Sequence, residues 1–410
     1  MYIKRFLAEK IEKALGRSPV ILITGARQTG KSTLAKEIGK SRGYSYISFD
    51  DISVFAAAKQ DPIQFIAKLQ KPVILDEVQR VPEIFLTIKK DVDDNREPGR
   101  YILTGSANPL LIPKLGDSLA GRMEIYDLYP LSQGELLGKK EQFLDHLFAE
   151  KYEYSSLEPV VRSELYKRMV TGGYPSVQHF DEEGRTQWFQ SYRTTVLERD
   201  IKELAHIERM TQFPQLLGLL ATRAASLLNI SDIARSTQIP PSTLGRYLAW
   251  LEVIYLIKLQ APWSVNLGKR FTQAPKLYFT DTGLLSFLLN LDAKKELNGN
   301  QLLIIGGILE NFIVMELKKQ AAWSKVRVQD FHFRAGTSEV DIVLEGPASS
   351  VVGIEIKHAD TVGASDFTGL KELRDKLGDR FIRGVVLYTG QQVIPFGDKL
   401  FAVPVSALWS

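Results

Sequence analysis

An α/β protein of several domains is the fold class this sequence predicts, and three observations predict it. The first third alternates short, continuous apolar runs with helical stretches. Residues 226 to about 295 contain two short helical segments joined by a turn. From about Asn300 a helix is followed by strands, a second helix and further strands. Continuous apolar strands separated by helices indicate a parallel sheet covered on both faces. The expected strands of that sheet are PVILITG (19–25), YSYISFD (44–50), KPVILDE (71–77), RYILTGS (100–106) and EIYDLY (124–129). From Pro130 to Arg223 the pattern is mostly helical, broken at TGGYP (171–175). The expected division is 1–135 for the first α/β unit, 136–225 for a helical region, 226–295 for the helix-turn-helix and 296–410 for a second α/β domain.

The composition bounds the function classes. A chain of 410 residues has room for two to four cores. Its hydrophobic fraction of 44% and charged fraction of 24% are those of a globular protein. The net charge of +4 permits a nucleic-acid partner without arguing for one, so any basic surface must be local. The absence of cysteine excludes disulfides, zinc–thiolate sites and thiol nucleophiles. The first residues, MYIKRFLAEKIEKALGR, read as an amphipathic charged helix without the apolar core of a signal peptide. No run approaches the ~18 apolar residues of a membrane span. A cytoplasmic protein with no membrane partner is expected.

GARQTGKS (25–32) fits the pattern G-x-x-x-x-G-K-[ST]. It follows the apolar run Val20 to Ile23 and opens the helical stretch STLAKEIGK. Glycines let backbone N–H groups curl around phosphates, and the helix N-terminus adds partial positive charge. The nucleotide is expected on Gly25, Ala26, Arg27, Gln28, Thr29, Gly30, Lys31, Ser32 and Thr33. Lys31 would reach the β- and γ-phosphates of ATP, and Ser32 would ligate Mg²⁺. VILDEVQ (73–79) ends an apolar strand in two carboxylates. Asp76 suits the Mg²⁺ shell, and Glu77 suits polarisation of the attacking water. YILTGSAN (101–108) ends in hydroxyls and an amide. Ser106, in preference to Thr104 or Asn108, would sense the γ-phosphate; the bland alternative is a simple turn. Arg122, in SLAGR, would either neutralise transition-state charge, in its own or a neighbouring subunit, or pair with a local carboxylate.

GARQTGKSTL, LDEVQRVP, ILTGSAN and SLAGR…YPLSQGE together resemble one family of prokaryotic AAA-type P-loop ATPases. The resemblance continues through GGYP (172–175), YRTTVLERDI (192–201) and YFTDTGLL (278–285) and covers nearly the whole chain. It implies a helical lid or linker after the ATPase core, then a winged helix, then a C-terminal domain of the PD-(D/E)xK restriction-nuclease fold. AAA-type ATPases commonly form rings, so a homo-oligomer is part of that implication.

SLLNISDIARSTQIPPSTLGRYLAWLEVIYLIKLQAP (226–262) supplies the helix-turn-helix. Ser231 is the expected cap of its first helix, IPP its stop and Ser242 the cap of the second. IYLIKLQAP and KLYFTD would be wing strands. Thr243 and Arg246 should face outward, with Lys258, Lys269, Arg270 and Lys276 placed to contact DNA phosphates. The competing reading is a packing or oligomer module.

In VDIVLEGPASSVVGIEIK (340–357), Glu355 and Lys357 share one strand face, and a hairpin brings Asp341 alongside. Three charges gathered on apolar strands are tolerated when they pair or bind a cation. The spacing D-x13-E-x-K resembles the PD-(D/E)xK core, with Glu339 and Val340 where the loose proline would stand. Glu310, in the apolar stripe of GGILENFIVMELKK (306–319), matches an acidic residue on the first helix of that fold. By that resemblance Asp341 and Glu355 would hold Mg²⁺ with Glu310 assisting, and Lys357 would orient or activate the attacking water. His358 would touch phosphate or be incidental. An ATPase acting on DNA, perhaps branched or forked, is the leading expectation. The rival is a nucleotide-dependent switch for a protein partner, carrying a catalytically silent nuclease fold. A metabolite kinase is disfavoured, because Glu77 beside Asp76 points to water as the acceptor.

Overall fold

The computed structural model describes residues 2–106, 119–150, 157–196, 212–266, 268, 270, 273–292, 299–336 and 338–409. Contacts sort the chain into two compact units. One is Met1–Leu131 with Val253–Leu256; the other is Ser132–Glu252 with Ile257–Ser410. The three segments expected after the first α/β unit thus pack as one, apart from the four residues that join the first.

The first unit runs α1 (Leu7–Ala14), β1 (Val20–Thr24), α2 (Lys31–Lys40), β2 (Ser45–Ser48), α3 (Ile52–Gln60), α4 (Pro62–Lys68), β3 (Val73–Asp76), α5 (Ile84–Asp94), β4 (Tyr101–Gly105) and β5 (Met123–Asp127). The sheet order is β2-β3-β4-β1-β5, and every pairing is parallel. VILIT, VILD and YILTG are buried along their whole length, as strands covered on both faces must be. Val20, Leu22, Val73, Leu75, Tyr101 and Leu103 pack against Ile84, Phe85 and Ile88 of α5 in one core. The C-terminal ends of β1, β3 and β4 share one edge of the sheet, so Gly25, Glu77 and Ser106 leave the strands side by side. Ligand sites of parallel sheets form at that edge.

The second unit contains α6 (Gln133–Leu137), α7 (Phe143–Leu147), α8 (Arg162–Thr171), α9 (Glu182–Thr195), α10 (Phe213–Thr222), α11 (Ile230–Thr237), α12 (Pro241–Val253, its last residue counted with the first unit), β6 (Ile257–Gln260), β7 (Lys276–Phe279), α13 (Thr282–Leu288) and α14 (Gly299–Trp323). It continues with β8 (Gln329–Ala335), β9 (Ser338–Glu345), β10 (Val351–Lys357), α15 (Thr368–Leu377), β11 (Phe381–Tyr388), β12 (Ile394–Pro395) and β13 (Leu400–Pro404). The break expected at TGGYP falls at the end of α8. There Gly172 takes a positive φ, and the Asp281 carboxylate accepts the Gly173 N–H at 2.6 Å.

Two expected caps are corrected. Asn229, not Ser231, caps α11, its side chain accepting the Asp232 N–H at 3.0 Å. The second helix begins at Pro241, which puts Ser242 inside its first turn. Proline suits that position because the N–H it lacks would have no helical partner there. The strands β6 and β7 form a two-stranded antiparallel sheet. Strand β7 docks on α14 through Asn311, whose amide accepts the Phe279 N–H and donates to the Phe279 carbonyl, both at 2.8 Å. The large sheet has the order β12-β13-β11-β10-β9-β8, with β9 and β10 an antiparallel hairpin and β10 parallel to β11. Among the described residues no helix is long and apolar enough to cross a membrane.

Candidate nucleotide site and carboxylate cluster

The loop between β1 and α2 is shaped by two glycines. Gly25 has φ +144, and a Cβ there would stand 2.2 Å from the Leu128 carbonyl oxygen. Gly30 has φ +93 and precedes α2 without a capping side chain, so first-turn N–H groups remain for an anion. The Thr29 hydroxyl donates to the Ala26 carbonyl at 2.9 Å, and Lys31 Nζ donates to the same oxygen at 2.8 Å. The lysine is thus folded back along the loop. Arg27 is half-buried in it, whereas Gln28 and Thr33 are exposed. The Arg5 guanidinium, 5% exposed, ties the loop down by donating to the Thr29 carbonyl at 2.7 Å and the Tyr129 carbonyl at 2.6 Å. Sequence reasoning missed Arg5, because a charged residue at the start of an amphipathic helix gives no sign of burial.

Asp76, at the end of β3, is 5% exposed and surrounded by hydroxyls. Its Oδ1 accepts from Ser32 Oγ at 2.8 Å and from Thr104 Oγ1, and its Oδ2 from the Tyr46 hydroxyl at 2.5 Å. Burial and that bond to Asp76 push the Tyr46 hydroxyl well above its ordinary value. Thr104 therefore serves Asp76, while Ser106 belongs to the neighbouring group. Glu77 takes the left-handed conformation at φ +60, uncommon outside glycine, and its carboxylate accepts from Gln79 Nε2. Gln79 Nε2 also donates to Ser106 Oγ at 2.9 Å, and Ser106 Oγ lies 3.4 Å from Glu77 Oε2. Gln79 was missed by sequence reasoning, although its place two residues beyond Glu77 was a usable signal. Ser32 and Asp76 offer adjacent hydroxyl and carboxylate oxygens, the hard donors that magnesium takes, so these residues fit that ion.

Arg122 takes the local-carboxylate alternative. Its Nε bonds Asp93 Oδ1 at 2.5 Å, its Nη2 bonds Asp93 Oδ2 at 3.1 Å, and its Nη1 donates to the Ala120 carbonyl. That pair lowers the Asp93 carboxyl. Asn108 lies outside the described residues.

In the second unit, Glu310, Asp341, Glu355 and Lys357 do come together, but around a residue given another role by the sequence. Lys276 Nζ lies 2.9 Å from Glu310 Oε1, 2.8 Å from Glu339 Oε1 and 2.9 Å from Asp341 Oδ1. Burial alone would lower the Lys276 ammonium; the three carboxylates outweigh it and hold it well above its ordinary value. The Tyr278 hydroxyl donates to Glu310 Oε1 at 2.6 Å, and Asp341 Oδ2 accepts the Ile356 N–H at 3.0 Å. Lys357 Nζ donates to Glu355 Oε1 at 2.9 Å, while Glu355 Oε2 is buried without a hydrogen-bond partner. Burial, reinforced by Asp341, pushes the Glu310 and Glu355 carboxyls up. Among the described residues no group of three or more histidine or acidic side chains is arranged to hold a metal ion. The magnesium ligation expected of Glu310, Asp341 and Glu355 does not fit this arrangement, because an ammonium already bridges two of the three. Lys357 pairs with Glu355, one of the two outcomes the sequence left open for these charges.

The basic residues expected to face DNA divide. Arg246 is exposed on α12 and donates to the Thr243 hydroxyl at 3.3 Å. Lys258 lies half-buried on β6. The phosphate-contact role expected of Arg270 and Lys276 is not met. Arg270 pairs with Glu345 at 2.7 Å and covers the rings of Phe331 and Trp263, and Lys276 is buried. Lys269 lies outside the described residues.

A family model described as an AAA domain matches residues 17–137. Models described only as domains of unknown function match residues 162–295 (DUF8612) and 305–408 (DUF4143). Uncharacterized proteins of Mycobacterium tuberculosis (Rv2008c) and Mycobacterium bovis (Mb2031c) are each 30% identical over 409 residues, covering 99% of this chain and 84% of their own length. Among solved structures, the Walker-type ATPase of Pyrococcus abyssi is similar at 17% identity and a TM-score of 0.41, over 70% of this chain and 96% of that one.

Proposed function

The chain belongs to the family of AAA-domain proteins that includes those two mycobacterial relatives, and on that premise we propose that it hydrolyses ATP and uses the cycle to act on DNA. The observation that carries the first half is the 2.8 Å bond between Ser32 and Asp76, which links the phosphate loop to the acidic strand end. In this reading the loop N–H groups and Lys31 bind the nucleotide phosphates, Lys31 exchanging the Ala26 carbonyl for a phosphate oxygen. Ser32 and Asp76 hold magnesium, which supplies charge neutralisation on the phosphates when bound. Glu77 orients the attacking water and accepts its proton, and Gln79 and Ser106 hold Glu77 in place.

Support for the DNA half comes from α11 and α12 followed by the two-stranded sheet, read as a winged helix with Thr243 and Arg246 outward. The β8–β11 sheet with α14 and α15 is read as a restriction-nuclease-like fold serving as a platform; no cutting is assigned to it. Assembly into a ring and a cytoplasmic setting belong to the same reading. The rival, a nucleotide-dependent switch for a protein partner, is favoured by the charge-paired state of the C-terminal cluster.

One experiment separates them. ATP turnover is measured with single-stranded, duplex, forked and four-way DNA, and DNA binding is measured with and without ATP, for wild type and Lys31→Ala. Several-fold stimulation by DNA, with nucleotide-dependent binding lost in the variant, supports the DNA reading. Turnover indifferent to DNA, with DNA binding absent, transfers the function to the protein-partner switch.

A further inference from the structure

We propose that Lys276 is a built-in counter-cation, occupying within the Glu310–Glu339–Asp341 cluster the place where the sequence leads one to expect a divalent metal ion. The C-terminal sheet then carries a closed charge seat instead of a hydrolytic centre. The inference takes nothing from the DNA reading above and stands or falls separately.

Geometry carries it. An ammonium has three N–H donors, and Lys276 has one carboxylate oxygen within 3 Å for each of them, from three different residues. Its donor capacity is filled. Two of these oxygens belong to Glu310 and Asp341, the residues expected to ligate metal. A magnesium ion needs oxygens at about 2.0–2.1 Å in octahedral array, which the same oxygens cannot give while they clasp an ammonium. A second cation at this site would also face the lysine charge at short range in a poorly screened interior.

The lysine is not placed to swing away. It is 2% exposed and pairs with Gln260 across the small sheet. Alternate residues of a strand share a face, so Lys276 and Tyr278 point together, and both bond Glu310. The next residue, Phe279, is held in both directions by Asn311. The second charged pair, Lys357 with Glu355, engages Glu355 Oε1 and leaves its buried Oε2 without a partner.

The test uses the full chain without nucleotide and Mn²⁺ as the probe, with free Mn²⁺ read by electron paramagnetic resonance. Wild type, Asp341→Asn, Lys276→Met and Lys276→Met with Asp341→Asn are compared. The expected result is equal Mn²⁺ uptake by wild type and Asp341→Asn. Lys276→Met should take up one further ion per chain, which is lost again in the double variant. Wild-type uptake that Asp341→Asn abolishes would overturn the proposal, as would a folded Lys276→Met chain with no added ion. Should Lys276→Met not fold, melting of wild type and Asp341→Asn with and without Mn²⁺ decides. Equal responses support the lysine as the resident cation, and a wild-type response missing from Asp341→Asn refutes it.

Discussion

The hydroxyl of Tyr255 lies 2.8 Å from the hydroxyl of Thr24, a residue 231 positions earlier that ends β1 immediately before the phosphate loop. Tyr255 also donates to Asp127 Oδ1 at 2.5 Å, and Thr24 bonds the same oxygen at 2.8 Å. The three form one polar group, with Thr24 and Tyr255 buried and Asp127 half-buried, behind the phosphate loop. Tyr255→Phe removes one hydrogen bond and leaves Thr24 and Asp127 paired. A loss of about 1–2 kcal/mol is expected. Denaturant unfolding followed by a probe in the first unit, with binding of a fluorescent ATP analogue, reads it. Unchanged stability and affinity would mean that the tyrosine is only a spacer.

Lys31→Ala and Glu77→Gln should fail differently. Removing the lysine takes a cation from the phosphates and should weaken nucleotide binding together with turnover. Removing the glutamate charge leaves the loop intact, so nucleotide binding should persist while turnover falls by roughly 10²–10⁴-fold, the usual range for a general base. Equilibrium binding beside single-turnover hydrolysis separates the two. A Glu77→Gln chain of normal turnover would dismiss that residue as the base.

Arg122 is held by Asp93 at the protein surface. Surface pairs add little to stability. Arg122→Ala should therefore leave the melting temperature unchanged, and turnover with it. A fall of ~10³-fold or more, the scale of an arginine acting on a transferring phosphoryl group, would mean that it leaves Asp93 in the working state.

Glu141 predicts a pH dependence. Its carboxyl is 3% exposed, and burial, with Glu316 and Glu135 nearby, pushes it up to about 8 although the Gly134 N–H bonds it at 2.6 Å. The folded state keeps this proton to a higher pH than the unfolded state, whose carboxyl titrates in the ordinary range near 4.5. The stability tied to the proton is complete below that ordinary range and is lost as pH rises through about 8. Glu141→Gln should flatten this decline, so its stability relative to wild type should be greater at pH 8.5 than at pH 5. Urea unfolding at both values checks it; parallel declines in the two proteins would assign the pH effect elsewhere.

The legibility of the sequence followed the range of the interactions. Three of the five strands of the parallel sheet, VILIT, VILD and YILTG, were readable because they are continuous apolar runs, rich in β-branched residues, whose burial is implied by composition. The adjacency of Gly25, Lys31 and Ser32 follows from local spacing within one strand–loop–helix turn, whereas Asp76 reaches Ser32 from the separate strand β3. The place of Lys276 was not readable. In KLYFTD it looks like an exposed wing residue, and only α14 and β9, brought alongside by folding, supply the carboxylates that bury it. Arg270 was misread for the same reason, since Glu345 and Phe331 are distant in the chain. The cap at Asn229 was missed because Ser231 two residues later is an equally good capping type, and only backbone conformation distinguishes them.

The membership of Val253–Leu256 in the first unit has a consequence for synthesis. The nucleotide-binding unit is discontinuous along the polypeptide. A ribosome that has released β5 has delivered every element of the parallel sheet, yet Tyr255 is still unmade. Thr24 and Asp127 lack their tyrosine partner until Val253–Leu256 has emerged. The polar group behind the phosphate loop is therefore completed only when the segment read as contacting DNA has been translated.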